Sequence, residues 1–151
     1  MLKRLQRLPL NSMLSTTDKQ RIEESIRRAE AQTSGEIRVH LDRVGSADPM
    51  QKATKIFERL GMTRTIERNG VLIYVCFAKK QLAILGDQGI HERVPEGYWN
   101  EVYELISKHF KQGLFAVGLI EAVTLIGAKL CAFFPPKVDD TNELSNEITE
   151  E

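Results

Sequence analysis

The chain has 151 residues, the size of one ordinary domain, which can bury about 70% of the surface its unfolded form exposes. Hydrophobic residues make up 42% and charged residues 28%, a globular balance that excludes disorder over most of the length. Lys and Arg number 21 together and so do Asp and Glu, so the formal net charge is zero, which argues against a dedicated nucleic-acid binder with its basic face.

Residues 1–14 read as an arm in which Leu2, Leu5 and Leu8 recur at helical spacing among Lys3, Arg4 and Arg7, and Pro9 ends any helix there. Polar residues interrupt each apolar stretch, so no secretory signal is expected, and so few charges predict only marginal attachment to an anionic membrane surface. Thr17 and Gln20 fit a capping box that opens a helix reaching about Gln32. Ile22, Ile26 and Ala29 form its apolar stripe, while Arg21, Glu23, Glu24, Arg27 and Arg28 face water. Thr33-Ser34-Gly35 breaks it.

Glu36 to Leu41 alternates strictly, with Ile37, Val39 and Leu41 on one side and Glu36, Arg38 and His40 on the other, which predicts a strand with one buried face. After a polar loop, Asp48-Pro49 supplies an N-cap and a proline at the first helical position. Ala53, Ile56, Phe57 and Leu60 share one face of that helix, and Gly61 ends it. The run Val71 to Ala78 is apolar and rich in β-branched residues, which suits a central strand covered on both faces. Lys79-Lys80 turns the chain, Gln81 to Leu85 returns as a hairpin partner, and Gly86-Asp87-Gln88-Gly89 makes a tight turn.

Pro95 marks another helix start, with Trp99, Val102, Ile106 and Phe110 as a core stripe. The last helix carries Val117, Ile120, Val123, Gly127, Leu130 and Phe134 at helical intervals and stops at Pro135-Pro136. The segment from Gly113 to Phe134 approaches a membrane span in length, but Glu121 near its middle would be costly in lipid, so a buried core helix and no transmembrane segment are expected. The acidic stretch after it reads as disordered. Cys76 and Cys131 each lie in an apolar run and read as buried thiols, not as a disulfide framework.

A strand–helix–strand crossover makes the first two strands parallel, and the hairpin adds the third antiparallel. The expected fold is therefore α/β: a three-layer α/β/α sandwich with a small mixed β-sheet. Its domain spans residues 15–136, between the arm at 1–14 and a disordered tail at 137–151.

The strong catalytic signatures are missing: the chain has no glycine-rich phosphate loop with lysine, no paired CxxC, no His-Glu-x-x-His and no Gly-x-Ser-x-Gly elbow. His40, His91 and His109 stand at no metal-ligand spacing and are expected at the surface or a rim. Topology gives the sharper lead. The hairpin returns Gly86-Asp87 to the edge where the first two strands begin, at Ser34-Gly35-Glu36 and Arg68-Asn69-Gly70. Glu36, Asn69, Asp87 and Glu92 offer oxygen donors there, with Arg38 and Arg68 supplying positive charge, and an oxygen-only set suits calcium or magnesium. Asp87 and Asn69 also suit plain turn roles. The opposite rim holds Asp42 and Asp48 across from Lys79 and Lys80, and Asp48 is explained as an N-cap.

Three stretches, Thr33-Ser34-Gly35-Glu36-Ile37-Arg38-Val39, Arg68-Asn69-Gly70-Val71-Leu72-Ile73 and Ala83-Ile84-Leu85-Gly86-Asp87-Gln88-Gly89-Ile90, resemble the TPM domain family in colinear order. Trp99 and the closing helix ending at Phe134-Pro135 extend the resemblance over roughly residues 15–136, in the stand-alone bacterial form without signal peptide or membrane anchor. The resemblance implies an α/β/α sandwich, an association with divalent ions, calcium above all, and an acid phosphatase label carried by plant members. It places Glu36, Asn69 and Asp87 at the ion-binding crevice. The resulting expectation is a cytoplasmic, regulatory domain that binds a divalent cation, calcium or magnesium, and contacts another protein. The alternative is a metal-assisted acid phosphatase acting on phosphomonoesters, with Arg68 or Arg38 neutralising the developing charge.

Overall fold

The computed structural model describes residues 13–137 and 145–151. The element order is α1 (Thr16–Glu30), β1 (Glu36–Leu41), α2 (Pro49–Arg59), a 3-10 turn (Met62–Arg64), β2 (Gly70–Cys76), β3 (Gln81–Gly86), α3 (Gln88–His91), α4 (Tyr98–Lys111), α5 (Phe115–Phe133) and β4 (Thr149–Glu150). The strands form one mixed sheet in the order β3-β2-β1-β4. β1 and β2 run parallel from Glu36↔Gly70 to Leu41↔Val75, and β3 pairs antiparallel with β2 from Val71↔Gly86 to Cys76↔Gln81.

Alternation along the strands sorts their side chains between two layers. Ile37, Val39, Leu41, Val71, Ile73, Val75 and Ile84 join Ile22 and Ile26 of α1, Val102 and Ile106 of α4, and Leu119, Val123, Ile126 and Leu130 of α5 in one core. On the other face Leu72, Tyr74 and Ala83 pack with Ala53, Ile56 and Phe57 of α2 and with Met62. The fold is thus the expected α/β/α sandwich. α5 is long and apolar enough to cross a membrane by length and composition, and Leu119, Ala122, Val123, Ile126 and Leu130 of its inner stripe are buried in the core. Its exposed Glu121 lies 3.0 Å from His109.

Several local expectations are corrected. Ser15, not Thr17, caps α1: its hydroxyl accepts from the Asp18 amide at 3.0 Å, and Asp18 accepts from the Ser15 amide at 3.0 Å, a capping box closed by aspartate. Leu14, counted with the arm, is fully buried in the domain core, whereas Leu2, Leu5 and Leu8 lie outside the described residues. β1 is buried along its whole length, polar face included. The tail, expected to be disordered, supplies over residues 145–151 a fourth strand that pairs parallel to β1 through His40↔Thr149 and Leu41↔Glu150. Cys76 is buried and Cys131 half-buried, both as free thiols.

Candidate functional site

The entrances of β1 and β2 and the exit of β3 meet at one rim. The Glu36 amide donates to the Asn69 carbonyl at 3.4 Å, and the Asp87 amide donates to the Gly70 carbonyl at 2.9 Å. The chain packs tightly there: the Gly89 amide reaches the Arg68 carbonyl at 2.8 Å, and a Cβ on Gly89 would stand 2.1 Å from the Glu67 carbonyl oxygen. Only glycine lets α3 approach the backbone of residues 67–68 so closely. Glu36, Asn69 and Asp87 are all buried, at 3%, 1% and 7% exposure.

Their side chains nevertheless divide among three polar groups. Arg68, in the left-handed region at φ 53°, clasps the Asp87 carboxylate with Nε and Nη2 at 2.6 and 2.8 Å, while the Gln88 amide donates to Oδ1 at 2.9 Å. Asp87 therefore acts as the N-cap of α3 and the partner of an arginine. Asn69 Nδ2 donates to Ser34 Oγ at 3.3 Å, and Ser34 donates to Glu67 at 2.6 Å. Because the single hydroxyl proton of Ser34 is spent on that carboxylate, the Asn69 amide must present its N–H side to Ser34. Asn69 Oδ1 is left buried and, among the described residues, without a hydrogen-bond partner. Glu36 belongs to a third group with Glu30 and Arg38. Glu92 stands exposed at the end of α3.

Glu30 is the residue that sequence reasoning missed. Its Oε2 accepts the Ile37 amide at 2.7 Å, on the outer edge of β1. Burial first, and then the neighbouring Glu36 carboxylate, push its pKa up to about 9, so the Glu30–Glu36 pair holds a proton at neutral pH. Arg38 faces the same pair. Burial draws its guanidinium below the ordinary arginine value, against the opposing pull of Glu30, Glu36 and Glu147.

Among the described residues, no three His, Cys, Asp or Glu side chains converge into a group that could hold a metal ion. Besides the carboxylates, Asn69 Oδ1 is an oxygen donor of the kind that calcium and magnesium accept.

The sequence pattern of the TPM domain matches residues 10–129. The chain belongs to the TPM domain family. BA42 from the psychrophilic bacterium Bizionia argentinensis, solved by NMR, is 40% identical to it, with 91% of this chain and 95% of that one covered at a TM-score of 0.85. The N-terminal domains of a protein from P. gingivalis (22% identity, 80% and 78% covered, TM-score 0.65) and of cg2496 from Corynebacterium glutamicum (15% identity, 78% and 74% covered, TM-score 0.61) share the fold. None of the curated proteins matches the chain in sequence.

The opposite rim of this TPM domain is closed by its own charges. Asp42 is fully buried, contacts Lys52 Nζ, accepts from the Tyr74 hydroxyl at 2.6 Å and accepts from the Val44 amide at 3.1 Å. Burial acts to raise its pKa, but Lys52, Tyr74 and the Val44 amide together leave it below the usual carboxylate range. Lys52 takes the place expected of Lys79 and Lys80, which are exposed in the hairpin turn. Asp48 caps α2 through the Gln51 amide at 3.1 Å, as its position before Pro49 implies. His40, expected at the surface, is 1% exposed. Burial holds its pKa below the ordinary histidine value, and Nδ1 lies 2.7 Å from Thr149 Oγ1.

Proposed function

We propose that this TPM domain binds a divalent cation, calcium or magnesium, at the strand-entry rim, and that it serves as a regulatory module in contact with another protein. The observation that carries the reading is Asn69 Oδ1, a buried amide oxygen with no hydrogen-bond partner among the described residues. Leaving such a group unsatisfied costs about 1–3 kcal/mol. A hard cation would satisfy it, and Glu36, whose backbone pairs with Gly70 next to Asn69, is the second candidate ligand. Asp87 is the third candidate ligand, and its competitor is on hand. Arg68 already supplies the positive charge that Asp87 needs, through a side chain 38% exposed and able to turn into solvent.

The phosphatase alternative asks Arg68 or Arg38 to receive a phosphoryl group. Arg68 is closed on Asp87, and Arg38 is buried in the field of Glu30, Glu36 and Glu147, so cation binding is the better-supported reading.

Calcium titration of the full chain followed by amide NMR is expected to move residues 34–38, 67–70 and 86–89 selectively. Asn69→Ala should weaken the response at least about tenfold, the equivalent of 1.4 kcal/mol. Arg68→Ala should strengthen it by releasing Asp87. Shifts spread evenly over the surface, or a response indifferent to Asn69→Ala, would sink the site.

A further inference from the structure

The outer edge of β1 lies between two cations, Lys19 from α1 on one face of the sheet and Arg59 from α2 on the other. The segment Ile148-Thr149-Glu150-Glu151 runs between them. Glu150 meets Lys19 at 3.1 Å, and Glu151 meets Arg59 at 2.7 Å and His40 Nε2 at 3.5 Å. Main-chain hydrogen bonds fix the direction: the Glu151 amide donates to the Leu41 carbonyl, the Arg43 amide donates to the Glu151 carbonyl, each at 3.0 Å, and the Ile148 amide donates to Glu23 Oε2 at 3.0 Å. Each of the four residues thus has its own receptor: Ile148 packs against the main core, Thr149 meets His40, and the two glutamates meet cations from opposite layers.

What holds this segment is mostly replaceable. Its ladder is two residue pairs long, against six between β1 and β2. Its glutamate side chains remain 35% and 33% exposed in their pairs with Lys19 and Arg59, a setting in which each pair is worth about 1 kcal/mol or less. Ile148 is its one apolar anchor, and it is only partly buried. Segments with so little buried apolar surface open at low free energy, and an opened sheet edge recruits another extended chain. We propose that the outer edge of β1 is a docking groove for an extended acidic segment of a partner protein, and that residues 148–151 occupy it in cis as a placeholder. The partner segment carries an aliphatic residue, a hydroxyl residue and two acidic residues in that order. It adds to the sheet parallel to β1, with main-chain pairing supplying affinity and Lys19, Arg59 and His40 supplying selectivity.

The test titrates a fluorescein-labelled peptide, SNEITEE, with the full chain in wild-type form and as Glu150→Lys/Glu151→Lys, whose own segment Lys19 and Arg59 repel. The double variant is expected to bind the peptide at least about tenfold more tightly, because in the wild type the tethered segment competes at roughly millimolar effective concentration. Adding Arg59→Glu should abolish that binding, and a peptide with lysines in place of its final two glutamates should not bind. Equal affinity of the two proteins, or equal binding of the lysine peptide, overturns the proposal. A dimer in light scattering that the peptide does not dissociate assigns the edge to a second copy, and also overturns it. Should the double variant not fold, hydrogen exchange on the wild type decides. The Arg43 and Glu151 amides should exchange faster than the Asp42 amide, which donates to Val75 across the β1–β2 ladder at 2.8 Å. Equal protection means that the segment does not open and the groove is not offered.

Discussion

The face of the sheet beneath α2 is built in two ways within two strand widths. Over β2 and β3, Leu72, Tyr74 and Ala83 meet Ala53, Ile56 and Phe57, and burial stabilises the contact without regard to direction. Over β1 the same face carries Glu36, Arg38 and His40, as deeply buried as the apolar neighbours but dependent on partners from Glu30 to Glu151. A buried charge that must be matched group by group adds little net stability, and removing one partner costs more than the pair supplied. The apolar half therefore holds the sandwich together. The polar half is where an added cation or an added strand finds groups ready to receive it.

This contrast can be broken by substitution, and the largest effect is expected in the apolar half. Ile56→Ala should cost about 2–5 kcal/mol in urea denaturation, with little dependence on pH, because only apolar contacts are lost. Lys52→Met should cost about 3 kcal/mol at neutral pH by leaving the Asp42 carboxylate buried without its ammonium partner. The folded pKa of Asp42 lies below its unfolded value of 3.8, so its contribution is present above that pH and is lost as pH falls through the folded value. The gap between Lys52→Met and the wild type should accordingly narrow in acid; a constant gap would show that Lys52 acts through packing.

Glu30→Gln tests the shared proton. Glutamine keeps an oxygen for the Ile37 amide and offers Glu36 an N–H where the wild type offers a proton. The folded pKa of Glu30, about 9, exceeds its unfolded value of 4.5. Its contribution is therefore complete below pH 4.5 and is lost as pH rises toward 9. Melting curves should coincide near pH 4, and the variant should gain on the wild type by up to about 1.4 kcal/mol per pH unit above that. Parallel curves would mean that the pair holds no extra proton. The smallest effect belongs to Thr149→Val, which removes the hydroxyl facing His40 Nδ1 and should cost about 1 kcal/mol. A much larger loss would make the edge segment an integral strand.

Periodicity and chain punctuation carried most of the architecture. The alternation of residues 36–41, the apolar run from Val71, the Asp48-Pro49 cap and the hairpin at Lys79-Lys80 place strands and helices within a few residues of where the structure has them, because local backbone preference and side-chain direction are written residue by residue. Chain reversal at the hairpin also implied that Asp87 returns to the strand entrances, as the Asp87–Gly70 hydrogen bond shows for the backbone. Choices between equivalent partners depended on distance through space. The sequence sets Lys79 and Lys80 across from Asp42, whereas α2 packed on the sheet brings Lys52 to it. Glu30 follows Ile22 and Ile26 at four-residue spacing on the buried stripe of its helix, but only the packing of α1 beside β1 shows that its carboxylate reaches the Ile37 amide. The acidic tail has the composition of a disordered segment, and it is the free edge of β1, flanked by cations, that turns Thr149-Glu150 into a strand.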